Sequence, residues 1–210
     1  MHPLIEQLQD EHNIIRLMLY ITEAACQKLE NKQEVKIEDL EQLAAFLELF
    51  IYSIHHQKEA NLLSERMPEL QPHLDEHKQE KVLFDNFMSE IKGYKGNAND
   101  ESLINSARDY VSFANNHINK EEEEVYPAVN KTLSDEDTNL LNDFEQLENE
   151  NISEEQAEEY QKLLSYLAEN YLGEHIHSHD CEHGECDCGD EEECDCGDEG
   201  DCGCGHHHDH

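Results

Sequence analysis

The hydrophobic positions of residues 1–172 recur with the 3.6-residue period of α-helices, and strand patterns are nearly absent. The pattern predicts helices over about Leu4 to Glu30, Glu38 to Glu65, Pro72 to the turn GYKGNAND, and Glu101 to Tyr126, followed by two shorter helices from Ser134 and Ser153. We expect Pro127 to stop the fourth helix, and Ser153 and Gln156 to form a capping box. Four long helices with short connections predict an all-α fold, an up-down-up-down four-helix bundle with the last two helices packed outside it.

The helical pattern ends near Gly173. Residues 173–210 contain one sizeable apolar residue, Ile176, and no Lys or Arg. Such a segment buries too little apolar surface to offset its conformational entropy, so we expect it to be disordered without a ligand. The sequence therefore predicts a helical domain over 1–172 and an acidic, Cys/His-rich low-complexity tail over 173–210.

The net charge of the chain limits the classes of molecule that it is expected to bind. It has 51 Asp and Glu against 14 Lys and Arg, a net charge of −37. This charge repels nucleic acids and anionic membranes and favours cations. No apolar run reaches the roughly 18 residues of a membrane span, and the start of the chain lacks the form of a signal peptide. Cys26 is alone in the helical region, which fits a reducing compartment, so we expect a soluble cytoplasmic protein.

Each of the four long predicted helices places one histidine on its apolar face. These residues are His12, His55, His77 and His117. A single histidine of this kind is usually a satisfied core residue. Four of them in one small core would cost several kcal/mol in unmet polar groups, and a shared metal centre removes that cost.

Two carboxylates strengthen this interpretation. Glu59 lies four residues after His55, and Glu121 lies four residues after His117. Four residues correspond to about 400° of helix rotation, so each carboxylate shares the face of its histidine. Imidazole and carboxylate ligands with open positions favour a pair of iron ions bridged by the carboxylates, with Mn or Zn as alternative ions.

Glu121 begins a run of four glutamates, and the choice among them is part of the prediction. Glu121 is the expected ligand, and Glu122, about 140° round the helix from His117, is the alternative. We expect Glu123 and Glu124 to be solvated.

The motifs EHNII, HHQKE, DEHKQEK and HINKEEEEVYP, together with the later stretch LSDEDTNLLNDFEQLENENI, resemble the hemerythrin-like, or HHE cation-binding, family of bacterial type. The resemblance covers about residues 1–172. It implies a four-helix bundle with a non-haem di-iron centre. Matched position by position, the ligands that it implies are His12, His55, Glu59, His77, His117 and Glu121.

One position departs from the family pattern as we align it. Oxygen-carrying members have a further histidine four residues after the one matched by His77, and here that position is Lys81. His73, four residues before His77 and on the same helix face, is the alternative seventh ligand, although along the helix it lies on the opposite side of His77 from position 81. We expect Lys81 to pair with a carboxylate. His56 is expected to support a ligand or to be exposed. A six-ligand site argues against reversible oxygen carriage.

Three functions follow from the resemblance and the tail. The first is binding of O2, or of another small diatomic or peroxide ligand, for sensing, storage or delivery. The second is repair of iron–sulfur clusters or handling of nitric oxide or peroxide. The third is storage and trafficking of iron and soft metals through the tail. The first requires no acid–base residue beyond the ligands, so we expect a binding protein rather than an enzyme.

The tail carries an eight-residue repeat with Cys-x-Cys pairs. Two thiolates at this spacing can bind one soft metal ion, and Zn, Cu, Ni and Fe are the candidate ions. The predicted tail ligands are Cys186, Cys188, Cys194, Cys196, Cys202 and Cys204.

Overall fold

The computed structural model describes residues 1–66, 71–96 and 100–173. Every regular element in these ranges is a helix. The elements are α1 (Pro3–Glu30), α2 (Ile37–Leu47), π1 (Glu48–His55), α3 (His56–Arg66), α4 (Gln71–Gly93), α5 (Glu101–Lys120), π2 (Glu121–Val125), α6 (Tyr126–Asn130), a 3₁₀ turn (Asp135–Thr138), α7 (Asn139–Asn151) and α8 (Glu154–Leu172). The predicted tail and its six cysteine ligands lie outside the described residues. None of the helices described is long and apolar enough to cross a membrane.

Local hydrogen bonds fix where the outermost helices begin and end. The backbone N–H of Leu4 donates to the His2 side chain at the start of α1, at 3.3 Å. Ser153 and Gln156 form the predicted capping box at the start of α8. Gly173 follows α8 with a φ of 79°, a conformation in which glycine avoids the strain of a Cβ.

The four long helices form the predicted bundle. α2, π1 and α3 run without a break as the second helix, and α5, π2 and α6 run without a break as the fourth. The first helix contacts the second and the fourth, and α4 contacts the same two, which closes the ring. α7 packs against α1, π1 and α3, while α8 packs along α1. The predicted all-α bundle with two outer helices is therefore confirmed.

The prediction that Pro127 ends the fourth helix is wrong, because helical structure continues to Asn130. The π-helical turn of π2 precedes the proline, and the Tyr126 N–H donates to the Glu121 carbonyl, five residues back. A proline inside an α-helix clashes with the carbonyl four residues before it. The wider π turn, with Pro127 at the start of the next α-helical segment, accommodates the ring.

The bundle interior has two apolar regions with a polar layer between them. The larger apolar cluster includes Ile15, Phe84, Tyr110 and Ala114. The smaller apolar cluster consists of Leu4, Ile5, Leu8, Leu62, Val125, Tyr126, Val129 and Phe144. His12 lies along α1 between Leu8 of the smaller cluster and Ile15 of the larger one. The histidines therefore lie in a layer that apolar side chains cover on both sides.

Candidate metal centre

The structure brings all six side chains predicted as ligands together in this layer. They are His12 on α1, His55 on π1, Glu59 on α3, His77 on α4, His117 on α5 and Glu121 on π2. The carboxylates of Glu59 and Glu121 are fully buried. His12, His55, Glu59 and Glu121 each place one ligand atom within 4.8 Å of the others. Two of these residues belong to π segments, a form of helix that often occurs at functional sites.

The imidazoles of His12 and His55 face each other through their Nε2 atoms, 3.1 Å apart. The Nδ1 of His12 lies 2.9 Å from Glu122 Oε1, and the Nδ1 of His55 lies 2.8 Å from Glu11 Oε2. Carboxylates only accept hydrogen bonds, so each neutral ring carries its hydrogen on Nδ1 and presents a lone pair at Nε2. A proton or a cation must lie between these lone pairs.

The separation of these two nitrogens suits a metal ion. Two ligands about 2.1 Å from one ion, at a right angle, are about 3 Å apart. Histidine ligands of metals usually donate their other N–H to a carboxylate, which fixes the ring and raises its basicity. Glu11 and Glu122 occupy these outer positions here. Sequence reasoning missed Glu11, although it immediately precedes His12, because its partner His55 is on another helix.

The second pair of histidines surrounds the two carboxylates. His77 Nε2 lies 3.3 Å from Glu59 Oε2 and 3.5 Å from Glu121 Oε1. His117 Nε2 lies 3.0 Å from Glu121 Oε1. On its outer side His117 Nδ1 lies 3.2 Å from Glu76 Oε2, a third carboxylate in an outer position. Glu121 is thus central to both pairs of histidines.

Four ligand atoms have no hydrogen-bond partner of acceptable geometry within residues 1–66, 71–96 and 100–173. They are Glu59 Oε2, His77 Nε2, His117 Nε2 and Glu121 Oε2, all buried. A buried polar atom without a partner costs about 1–3 kcal/mol. Since these atoms converge on one layer, a bound cation would satisfy them together, and the residues therefore fit a metal.

His73 belongs to the same cluster, on the helix face that it shares with His77 and four residues before it. Its Nε2 is 2.7 Å from Glu121 Oε1, and its ring stacks on that of His117 with centroids 4.6 Å apart. A position four residues before His77 shares its helix face, and the Glu121 carboxylate reaches both. Lys81 pairs with Asp85 and lies 3.4 Å from Glu48 Oε1, as expected for a lysine with carboxylate partners.

His56 is buried, so the alternative that it is exposed is wrong. Its ring stacks on His77 with centroids 3.8 Å apart and planes 2° from parallel. Its Nε2 lies 3.7 Å from the buried Glu80 carboxylate, whereas its Nδ1 has no hydrogen-bond partner. Burial, with His77 and His55 nearby, holds the pKa of His56 well below its ordinary value. His56 is therefore a neutral imidazole beside the ligands.

The four glutamates at positions 121–124 differ in burial. Glu121 is fully buried and central, while Glu122 is partly buried and bonds both Arg16 and His12. Glu123 and Glu124 are exposed. The alternative ligand Glu122 thus supports an imidazole from outside the cluster.

The Tyr126 hydroxyl also lies in the site, although the sequence did not indicate Tyr126 as a site residue. Its hydroxyl donates to Glu59 Oε1 at 2.7 Å and lies 3.1 Å from His12 Nε2. Its ring stacks on that of His12 with centroids 5.2 Å apart. Tyr126 follows Glu121 by five residues, a spacing that shares a face in a π turn but not in an α-helix.

The buried carboxylates set the charge of the metal-free site. Burial opposes protonation of the imidazoles, yet the nearby negative charges of the Glu121 and Glu59 carboxylates raise the pKa of His77 to about 10. Glu121 likewise raises the pKa of His117 to about 9 against the effect of burial. Burial would raise the pKa of Glu121, but its histidine neighbours lower it well below the ordinary value. Protons therefore supply the positive charge when no metal is bound.

The fold and the cluster define a helical-bundle protein with a buried histidine and carboxylate site able to hold a metal. The family model for the hemerythrin HHE cation-binding domain matches residues 4–129, more than half of the 210 residues. The chain belongs to this family. No curated protein and no solved structure matches it.

Proposed function

We propose that the protein is a non-haem di-iron protein that binds O2 or a related small molecule for sensing, storage or delivery. The protein ligands of the two ions in this proposal are His12, His55, Glu59, His77, His117 and Glu121, with His73 as a seventh. The observation that carries the proposal is the set of buried, unpartnered ligand atoms on Glu59, His77, His117 and Glu121.

Two ions are favoured over one because two of the donor groups have only the Glu121 carboxylate in common. One group is His12, His55, Glu59 and Glu121, and the other is His73, His77, His117 and Glu121. Each group offers four atoms within 4.8 Å of one another. Glu121 Oε2 lies 3.2 Å from His12 Nε2 and Glu121 Oε1 lies 2.7 Å from His73 Nε2, so this carboxylate would be able to hold an ion in each group. Imidazole and carboxylate donors together favour iron.

The residues around the ligands have different structural roles. Glu11, Glu76 and Glu122 accept hydrogen bonds from the outer nitrogens of three histidines and hold the rings in orientation. Tyr126 holds Glu59 through one hydrogen bond. The two apolar clusters exclude water from the layer. When bound, the iron pair would supply exchangeable electrons and an open coordination position for the small molecule.

Anaerobic loading of the full chain with Fe(II) tests the proposal. We expect a visible absorption band on admitting air, and its reversal on removing oxygen. His117→Gln should lose both iron and the band, whereas His2→Gln, which removes a histidine outside the cluster, should keep them. Iron uptake by the parent chain no greater than that of His117→Gln would refute the metal site. Irreversible oxidation of bound iron would refute oxygen binding and favour the repair or peroxide-handling function.

A second candidate function, iron and soft-metal handling, follows from the tail. The Cys-x-Cys pairs between Cys186 and Cys204 are typical of thiolate metal binding, and they lie outside the described residues. If the tail delivers ions to the bundle, removing residues 178–210 should slow iron uptake without changing the final iron content. Unchanged uptake kinetics would contradict this function.

A further inference from the structure

A third donor group overlaps the two groups already described. One ligand atom from each of His56, Glu59, His77 and His117 lies within 4.8 Å of the others. This group shares His77 and His117 with the group that contains His73. Because the two groups share two of their four residues, they describe overlapping positions for one ion and not two independent sites.

The environment of His56 indicates that the residue does more than fill space in the core. The residue is only 6% exposed, yet its Nδ1 makes no hydrogen bond, and the only carboxylate contact of its Nε2 given by the structure is Glu80, at 3.7 Å. A distance of 3.7 Å is too long for a hydrogen bond. Packing alone would be served better by an apolar side chain, because a buried imidazole nitrogen without a partner is costly.

The two positions differ in how closely the present side-chain arrangement matches the one needed to bind an ion. His73 Nε2 already lies 2.7 Å from Glu121 Oε1, in the group that the second ion would occupy first. The ring of His56 is stacked on that of His77 within 2° of parallel, so the lone pairs of the two rings lie in separate, parallel planes. His56 has to tilt before it and His77 can bind one ion.

We propose that the second metal ion has two alternative positions, one completed by His73 and Glu121 and the other by His56 and Glu59, with His77 and His117 common to both. The inference rests on the proposed metal-binding function. The His73 position is the resting one. The His56 position holds the ion when His73 is withdrawn, and this gives the ion a route within the bundle without full release.

Metal counting on four full-length variants tests the two positions. We expect His56→Gln and His73→Gln to keep the iron content of the parent chain after anaerobic Fe(II) loading, and the double variant to lose one ion per chain. His2→Gln is the matched control for loss of a histidine. Because the tail is identical in every variant, differences in iron content come from the bundle.

The outcomes separate the inference from the function on which it rests. Loss of an ion in His73→Gln alone, or no loss in the double variant, overturns the alternative position while leaving the metal site intact. Absence of bundle iron in the parent chain, judged against His117→Gln, overturns the proposed function instead.

A second measurement decides the inference even if the double variant fails to fold. In the Zn(II)-loaded His73→Gln chain, the ¹⁵N resonance of one His56 ring nitrogen should move toward the position of a metal-bound imidazole. The same resonance should stay unmoved in the Zn(II)-loaded parent. An unmoved His56 resonance in His73→Gln would overturn the proposal.

Discussion

Replacing Lys58 by methionine removes a positive charge from the interior of the second helix. Lys58 is fully buried and pairs with Glu11 and Glu148, and its Nζ lies 5.4 Å from the centroid of the Phe144 ring. Glu11 in turn accepts the hydrogen bond of the His55 imidazole at 2.8 Å. Lys58 therefore connects a proposed metal ligand to α7, and methionine keeps its length and packing without its charge.

The exposure of Glu11 and of Glu148 determines how much each ion pair with Lys58 contributes to the free energy of unfolding. The Glu11 side chain is 8% exposed, whereas that of Glu148 is 42% exposed. Removing one member of a buried ion pair costs about 3–5 kcal/mol, because the other charge remains without compensation. An exposed pair contributes at most about 1 kcal/mol. Lys58→Met should therefore lower the free energy of unfolding by about 3–5 kcal/mol, and Glu148→Gln by about 1 kcal/mol or less.

Urea and thermal unfolding of the metal-free chain, followed by circular dichroism, measure this difference. At about 2–4 °C per kcal/mol for a chain of this size, Lys58→Met should lower Tm by about 6–20 °C. The double variant Glu11→Gln with Lys58→Met should recover most of that loss, since neither member of the buried pair then carries a charge. Lys78→Met is the exposed control, with 78% of its side chain exposed. A Lys58→Met shift no larger than that of Glu148→Gln would refute the reasoning.

Two further predictions concern the site itself. The pKa values of His77 and His117 are raised from 6.5 to about 10 and about 9, so their protonation stabilises the metal-free fold. That contribution is complete below pH 6.5 and is lost as the pH rises to about 10. Urea midpoints of the metal-free chain should fall across this range, and a flat or rising profile would contradict the charge assignment. Tyr126→Phe leaves one buried oxygen of Glu59 without its donor and should cost about 1.5–3 kcal/mol by the same assay. The exposed control Tyr20→Phe should change little, and an equal effect of both variants would count against the hydrogen bond.

The sequence was sufficient for the bundle and for most of the central cluster. Apolar residues at a period of 3.6 predict helices whose faces must be buried, and His12 and His117 interrupt those faces visibly. The pairs separated by four residues, such as His55 with Glu59, then follow from helix geometry alone. The spacing of these residues along the chain is enough to predict that they share a helix face, without knowledge of contacts between helices.

Residues governed by π turns or by contacts between helices could not be found in this way. Tyr126 shares a face with Glu121 only because π2 widens the helix there. His56 lies about 100° from its neighbour His55 in an α-helix, so its burial depends on the π turn before it and on α4 beside it. Lys58 looks like a surface lysine in the sequence, and its partners, Glu11 on α1 and Glu148 on α7, come beside it only in the folded bundle.

The two fully buried carboxylates link metal uptake to the stability of the fold. Glu59 and Glu121 lie between apolar clusters, so water does not compensate their charge, and a cationic partner must lie within the layer. Protons on His77 and His117 fill this role below their raised pKa values, and metal ions would fill it by displacing those protons. Metal uptake should therefore release protons, and its apparent affinity should rise with pH until both histidines are neutral. In a metal-free chain above that pH, His77 and His117 no longer place a positive charge beside the buried carboxylates. Although this layer lies in the middle of the bundle, it is then the part from which unfolding should start.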